Sequence, residues 1–171
     1  FEEKLMSPST VPAHIFRAYD IRGIYGKDLT PEIAEIIGKG FGTFLGGRRN
    51  LAVARDIRNG GEQLKNAMVK GLMSTGCDIA DYGITTTPVF YFGIAHQNRE
   101  GGAMTTASHN PPEWNGFKLC REKGVIVGQG SGVEDLFFSI AGSRRNTTNN
   151  RGKNVRRTAQ ERESRNSRRR Y

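Results

Sequence analysis

The sequence predicts an α/β domain with three layers, in which helices cover both faces of a mixed, mainly parallel sheet. Two observations predict it. Short apolar runs alternate with amphipathic segments of ten or more residues, which is the pattern of strands joined by helical crossovers. The apolar residues are also concentrated in residues 13–138, whereas residues 143–171 contain only Val155, Ala159 and Tyr171.

The chain therefore divides into an N-terminal arm (residues 1–13), a folded domain (14–142) and a basic tail (143–171). The tail has too little apolar surface to offset the entropy of ordering it, so it is predicted to be disordered. It holds 11 Lys and Arg against 2 Asp and Glu, and the rest of the chain holds 15 against 15. The net charge of +9 thus belongs to the tail, and the folded domain is not expected to bind nucleic acid.

Turn and capping residues place the elements of the first half. The alternating segment Phe16–Gly23 is followed by a turn at residues 25–28. A helix then begins with Thr30 as its N-cap and Pro31 in its first turn, and it ends at Gly46-Gly47. The next predicted elements are a strand at Leu51–Ala54, a helix at Glu62–Ser74 and a strand at Cys77–Ala80.

The second half continues the alternation of helices and strands. A helix is predicted from Thr87-Pro88 to about Gln97, carrying Val89, Phe90, Phe92 and Ile94, and a strand at Gly102–Thr106. Gly116–Leu119 and Gly124–Val127 are predicted to pair as a hairpin, and Val133–Phe138 to form a short final helix. Loops at the carboxyl ends of strands form the ligand crevice of such sheets, so the loop Ala107–Glu113 is the expected site.

The segment from Thr106 to Lys118 is the most informative part of the sequence. Ser108 and His109 stand side by side before an Asn-Pro-Pro turn, and Lys118 returns on the next strand after a second turn at Asn115-Gly116. A Ser-His-acid hydrolase triad is disfavoured, because adjacent side chains diverge and no nucleophile elbow is present. The alternative is a surface loop whose serine caps a turn.

The two cysteines and the hydropathy pattern limit which kinds of site and which cellular location are expected. Cys77 and Cys120 are isolated and lack the spacing of a zinc site or a disulfide framework. No apolar run approaches the length of a membrane span, so no membrane partner is expected and the predicted location is the cytoplasm.

Four motifs carry a resemblance to a known family. Thr106–Lys118 (TASHNPPEWNGFK) resembles the active-site serine loop of the α-D-phosphohexomutases, and Phe16–Gly23 (FRAYDIRG) resembles their N-terminal motif. Arg55–Arg58 (RDIR) and Gly83–Pro88 (GITTTP) resemble two further family segments. The motifs occur in family order, and the YDIRG form favours the phosphomannomutase/phosphoglucomutase type over phosphoglucosamine mutases.

The resemblance implies roles for individual side chains. Ser108 resembles the serine that holds the phosphoryl group, whose oxygen is also a ligand of Mg²⁺. Arg22 and Lys118 resemble the catalytic basic residues near that phosphate. His109 would contact substrate or position the loop, or else bond the backbone of the loop. Tyr19 would help to shape the substrate pocket, or else belong to the core.

Arg55, Asp56 and Arg58 follow directly after a predicted strand. A charged segment in that place is expected to form internal ion pairs that brace the active-site loops, ahead of any direct catalytic role. We therefore predict structural support from these three residues.

The implied reaction is that of an isomerase that interconverts hexose 1-phosphates and hexose 6-phosphates, with hexose 1,6-bisphosphate as activator. The resemblance also implies a four-domain enzyme whose metal loop, sugar loop and phosphate clamp lie in later domains. No such motifs occur in this sequence, so Mg²⁺ would be held through the phosphoserine and a second domain absent here. The chain resembles a truncated enzyme, expected to be inactive alone.

The tail leaves alternatives open. It is either the product of a frameshift or unusual gene ending, or a basic arm that binds a polyanion such as nucleic acid non-specifically. At the level of function, the alternatives are a non-catalytic phosphate-binding or regulatory module and a polyanion binder that acts through the tail. A homo-oligomer is compatible with each of them.

Overall fold

The computed structural model of the chain describes residues 11–140, and the predicted tail and most of the N-terminal arm lie outside them. The strands are β1 (Ile21–Ile24), β2 (Asn50–Arg55), β3 (Asp78–Ile84), β4 (Gly101–Thr105) and β5 (Trp114–Arg121). The helices are α1 (Pro31–Phe44), α2 (Gly61–Met73), α3 (Thr87–His96) and α4 (Val133–Ile140). None of these helices is long and apolar enough to cross a membrane.

The five strands form one sheet in the order β1-β5-β4-β2-β3. β2 pairs in parallel with both β3 and β4, whereas β5 pairs antiparallel with both β4 and β1. β5 therefore runs against the other four strands of the described sheet. The prediction of a mixed, mainly parallel sheet is confirmed.

Helices cover both faces of this sheet, as the three-layer prediction requires. α1, α2 and α4 lie on one face, where the larger core is built from side chains that include Ile37, Phe41, Leu64, Leu72 and Leu136. α3 lies on the other face, where a smaller core comprises Ala52, Ala54, Phe90, Ile94, Met104 and Cys120.

The predicted ends of α1 are confirmed by its capping groups. The Thr30 hydroxyl oxygen accepts a hydrogen bond from the backbone N–H of Ile33 at 3.4 Å, and Pro31 occupies the first turn. Beyond Phe44 the chain passes through Gly46 (φ +94°) and Gly47 (φ +68°), a left-handed conformation that glycine adopts readily.

The prediction for β3 was too short at its carboxyl end. The strand extends from Asp78 to Ile84, whereas the sequence predicted Cys77–Ala80. β3 lies at the edge of the sheet and pairs only with β2, with a register shift before the pair Arg55 and Ile84. An edge strand tolerates the polar residues and the glycine of its second half, so an apolar pattern alone underestimates its length.

The predicted hairpin was wrong in its main pairing. Residues 124–127 form only one bridge, between Ile126 and Cys120, and no strand of their own. β5 instead pairs along its length with β1 and β4, which lie far from one another in the sequence. The antiparallel component of the sheet therefore comes from β5, inserted between two strands that run the other way.

A buried ammonium joins α2 to β3. Lys65 is 8% exposed and contacts the Asp81 carboxylate, whose Oδ1 also accepts a hydrogen bond from the Gly83 N–H at 2.8 Å. Burial by itself raises the pKa of Asp81, but the hydrogen bonds from Lys65 and Gly83 outweigh it and lower that pKa below its usual value of 3.8.

We expect Asp81→Asn to destabilise the domain at neutral pH, because it leaves the Lys65 ammonium without its carboxylate. A carboxyl group whose pKa is lowered by folding contributes stability at pH values above its unfolded pKa, and this contribution is lost as the pH falls through the folded pKa. The free energies of unfolding of wild type and variant should therefore converge as the pH falls below the lowered pKa of Asp81. Urea titrations from pH 7 to acid measure this, with the exposed Asp78→Asn as matched control. Parallel curves for wild type and Asp81→Asn would contradict the prediction.

Candidate active site

The loop between β4 and β5, residues 106–113 (the serine loop), leaves the sheet at the carboxyl end of β4. Its start is tied to β5 by a hydrogen bond of 2.9 Å from the Thr106 N–H to the Gly116 carbonyl. Its end is tied to the chain after β1, because the Tyr25 N–H donates to the Glu113 carbonyl at 2.9 Å. Both ends of the loop are therefore anchored to the sheet.

Ser108 lies in a strained conformation at the exposed part of this loop. Its φ is +56°, in the left-handed region that residues with a Cβ adopt infrequently. Both Ser108 and His109 are exposed, and the Ser108 Oγ lies 3.2 Å from His109 Nδ1. Such backbone strain concentrates at functional sites and persists only where surrounding contacts impose it.

Thr106 and Asp56 supply part of that constraint. The backbone N–H of Ser108 donates to the Thr106 hydroxyl oxygen at 3.0 Å, and this hydroxyl donates to Asp56 Oδ2 at 2.6 Å. The other oxygen of Asp56 accepts the Arg58 N–H at 2.9 Å. A carboxylate at the end of β2 is thus connected through one hydroxyl to the backbone of Ser108.

Arg58 holds the other side of the loop. Its guanidinium donates to the carbonyl of Ser108 at 2.8 Å and to that of Asn110 at 2.6 Å. It also donates to the carbonyls of Pro111 at 2.8 Å and Trp114 at 3.1 Å. One planar cation therefore organises four carbonyl groups, a task for which the several fixed donors of arginine are suited.

Arg22, on β1, divides its hydrogen bonds between the same loop and Asp20. Its guanidinium donates to the Ala107 carbonyl and, at 3.0 Å, to the side-chain oxygen of Asn110. Its Nε and its second terminal nitrogen both donate to Asp20 Oδ2, at 2.9 and 2.6 Å. Arg22 therefore holds the serine loop from β1, and Arg58 holds it from the segment that follows β2.

Of the two predicted basic residues, Lys118 makes fewer polar contacts than Arg22. Its Nζ lies 3.5 Å from Asp20 Oδ2, and its side chain is 21% exposed. An ammonium has three donors, so donors remain for an incoming anion. Asp20, which is only 11% exposed, joins Lys118 to Arg22 and hence to the serine loop.

Comparison with known proteins identifies this arrangement of motifs. Residues 13–141 match the family described as phosphoglucomutase/phosphomannomutase, alpha/beta/alpha domain I. The chain belongs to the phosphoglucomutase/phosphomannomutase family.

Its relatives carry the names of that family. The chain is 47% identical over 131 residues to the phosphoglucomutase/phosphomannomutase of Thermococcus kodakarensis, covering 73% of this chain and 29% of the relative. It is 45% identical over 122 residues to the phosphomannomutase/phosphoglucomutase of Pseudomonas aeruginosa, covering 70% of this chain and 25% of the relative. It thus spans less than a third of the length of these two proteins.

A solved structure has the same fold. The crystal structure of a phosphoglucomutase/phosphomannomutase family protein from Burkholderia thailandensis superposes with a TM-score of 0.70 at 35% identity. The match covers 78% of this chain and 31% of that one. The three-layer domain described above is therefore the first-domain fold of the family.

The remaining predicted residues, Arg55 and Tyr19, have different surroundings in the folded domain. Arg55 donates to the Asp56 carbonyl at 3.1 Å and to Glu62 at 3.3 Å, which ties the end of β2 to the first turn of α2. Tyr19 is 70% exposed, which excludes its alternative as a core residue.

Sequence reasoning missed three polar residues of this site. Thr106 carries the contact from Asp56 to Ser108, Asn110 receives Arg22, and Asn115 is fully buried and donates to the Asn59 carbonyl at 3.0 Å. The available signal for Thr106 was its place directly after the last residue of β4, where polar side chains reach the carboxyl end of the sheet. Nothing in the sequence pattern indicated the partner of Asn115, because residues 59 and 115 meet only in the folded domain.

A magnesium site needs several oxygen ligands that converge on one point. Residues 11–140 contain no group of three or more His, Cys, Asp or Glu side chains arranged to hold a metal ion. Asp20, the carboxylate next to Lys118, is already paired with two cations. This part of the chain therefore does not form a complete Mg²⁺ site from its own side chains.

Proposed function

We propose that this chain carries the phosphoserine-bearing domain of a mutase that interconverts hexose 1-phosphate and hexose 6-phosphate. The supporting observation is the exposed Ser108 hydroxyl in a strained, doubly braced loop. A serine that merely caps a turn does not require a left-handed backbone held by two arginines and a carboxylate.

Ser108 is the proposed acceptor of the phosphoryl group of a hexose bisphosphate. A bond forms between the Ser108 Oγ and phosphorus while the bond between phosphorus and the sugar oxygen breaks, and the sugar oxygen takes up a proton. His109, whose Nδ1 lies 3.2 Å from that Oγ, is positioned to receive the hydroxyl proton. In the return step the phosphoserine donates its phosphoryl group to the free hydroxyl of a hexose monophosphate that carries its phosphate at the other position. The Ser108 Oγ takes up a proton, and the products are the free serine and a hexose bisphosphate.

Lys118 and the loop-bracing cations supply the electrostatic support that phosphoryl transfer requires. A phosphoserine carries a charge of about −1.5 to −2 near neutral pH. Transfer depends mainly on positioning and on cations that balance charge on the transferring oxygens. Lys118 has uncommitted donors, whereas Arg22 and Arg58 hold the backbone on which Ser108 is presented.

Magnesium would bind to this chain through the phosphorylated serine. A phosphate oxygen on Ser108 is a hard ligand of the kind that Mg²⁺ prefers, and the bound ion would neutralise charge on the phosphoryl group. Because residues 11–140 offer no further ligand cluster, the other ligands would come from elsewhere in a longer chain.

The test is to incubate the chain with glucose 1,6-bisphosphate whose phosphoryl groups carry radioactive phosphorus, and then to map the labelled phosphopeptides. We expect the label on Ser108 in the wild-type chain and its loss in Ser108→Ala. Ser131 and Ser139 are internal references, because their hydroxyls already donate to the carbonyls of Ile126 at 3.0 Å and Asp135 at 2.9 Å. Label on either reference instead of Ser108, or label retained in Ser108→Ala, would refute the assignment.

A further inference from the structure

We propose that a cavity at the amino ends of β2 and β4 is a second ligand site, and that its ligand is a small organic carboxylate with an apolar body. This cavity, the Arg121 pocket, has a volume of about 520 Å³ and is lined by Phe44, Leu45, Arg49, Glu100, Arg121 and Glu122. Its volume lies within the range of about 300–1,000 Å³ that is usual for small-molecule sites. The inference does not depend on the phosphoryl chemistry of Ser108.

The Arg121 pocket lies at the opposite end of the sheet from the serine loop. Arg49 directly precedes β2 and Glu100 directly precedes β4, whereas the serine loop follows the carboxyl end of β4. Arg121 is the last residue of β5 and pairs with Gly101, the first residue of the antiparallel β4. A ligand in this pocket would therefore bind apart from the group that reacts with Ser108.

The guanidinium of Arg121 is the feature that points to a ligand. Its Nε is buried and has no hydrogen-bond partner within residues 11–140. None of the ion pairs in this part of the chain includes Arg121. The Glu100 carboxylate accepts hydrogen bonds from Arg49 at 2.6 Å and from the Asn50 N–H at 2.9 Å instead. A buried donor without a partner costs free energy, and an anion that enters the pocket would remove this cost.

The other residues of the pocket favour a carboxylate with a single charge. A guanidinium binds a carboxylate through two parallel hydrogen bonds, and Phe44 and Leu45 offer an apolar wall for the rest of the ligand. Arg49 already pairs with a glutamate, and its Nε donates to the Leu45 carbonyl at 2.9 Å. Arg121 is therefore the arginine of the pocket that is left for the ligand. The nearby Glu122 carboxylate opposes a second negative charge, which disfavours a phosphate dianion.

The experiment titrates the 171-residue chain, labelled with nitrogen-15, with 3-phenylpropionate and follows the amide chemical shifts. We expect saturable shifts at Phe44, Leu45, Arg121 and Glu122. The uncharged 3-phenylpropanamide and inorganic phosphate should each bind at least about tenfold more weakly, because the first lacks the charge and the second lacks the apolar body. Equal binding of the amide would overturn the proposal, and equal binding of phosphate would overturn the choice of a carboxylate.

Two variants assign the binding to the guanidinium. Arg121→Met keeps the apolar stem of the side chain and should weaken the binding of 3-phenylpropionate at least about tenfold. Lys123→Met is the matched control, since it removes the same charge from an exposed residue that does not line the pocket, and it should leave the binding unchanged. Unchanged binding in Arg121→Met would overturn the proposal.

The stability of the free chain provides an independent check. Because the Arg121 Nε lacks a partner among the described residues, Arg121→Met should unfold at the same urea concentration as the wild type or at a higher one. Arg49→Met should instead unfold at a lower concentration, since it breaks the pair with Glu100. A clearly lower midpoint in Arg121→Met, or its failure to fold, would overturn the proposal by showing that the domain itself uses the guanidinium.

Discussion

Gly116→Ala is expected to destabilise the domain by about 3 kcal/mol and to disrupt the serine loop, since overpacked sites typically cost 1–3 kcal/mol. A Cβ on Gly116 would lie 2.1 Å from the Ile21 carbonyl oxygen and 3.1 Å from that of Thr106. Both obstacles are backbone atoms, so β1 and β5 must separate. Gly116 is the partner of Arg22 across these strands, and the separation moves the guanidinium that holds Ala107 and Asn110.

Two measurements check this expectation. Urea unfolding should show the lower stability, and labelling of Ser108 should fall at least about tenfold, because a misplacement of about 1 Å can cost up to about 100-fold in rate. Gly61→Ala is the matched control. A Cβ there meets its nearest atom at 3.8 Å, and alanine is favoured over glycine within a helix, so stability should be unchanged or slightly higher. Wild-type stability in Gly116→Ala would mean that β1 and β5 can separate without cost.

Arg58→Lys is expected to keep the charge but to loosen the serine loop. A single ammonium cannot reach the four carbonyls that the guanidinium of Arg58 organises, and at least two of them lose their donor. At about 1 kcal/mol for each lost hydrogen bond, the free energy of unfolding should fall by about 2–3 kcal/mol. Because Ser108 is no longer held at its positive φ, its phosphorylation should decline more steeply than the stability of the domain.

Proteolysis and labelling separate these two effects. The variant should be cleaved within residues 106–114 faster than the wild type, under conditions where both remain folded. Arg49→Lys is the control, since Arg49 pairs with Glu100 at 2.6 Å and is half exposed away from the serine loop. If Arg58→Lys is labelled at Ser108 as fast as the wild type, the guanidinium contacts do not position the serine.

The sequence by itself determined the elements whose signals are local. Thr30 and Pro31 marked the start of α1, the two glycines marked its end, and the predicted helix from Thr87 matches α3 closely. The sequence also identified Ser108, Arg22 and Lys118 as a group, through motifs that each lie within about a dozen residues. Capping, turn formation and apolar periodicity act over a few residues, so they can be read from one stretch of chain.

The tertiary structure alone decided the position of β5 and the use of each charged side chain. The predicted turn at Asn115-Gly116 was wrong, because both residues lie within β5 and pair with β1. The pairing of β5 with β1 spans about ninety residues, so its antiparallel insertion left no local mark in the sequence. For the same reason the sequence named Asp56 and Arg58 as braces without their partners. Whether a guanidinium can bind phosphate depends on which acceptors the fold brings within hydrogen-bonding distance of it. For Arg22 these acceptors include the Ala107 carbonyl and the Asn110 side chain, both in the loop of Ser108.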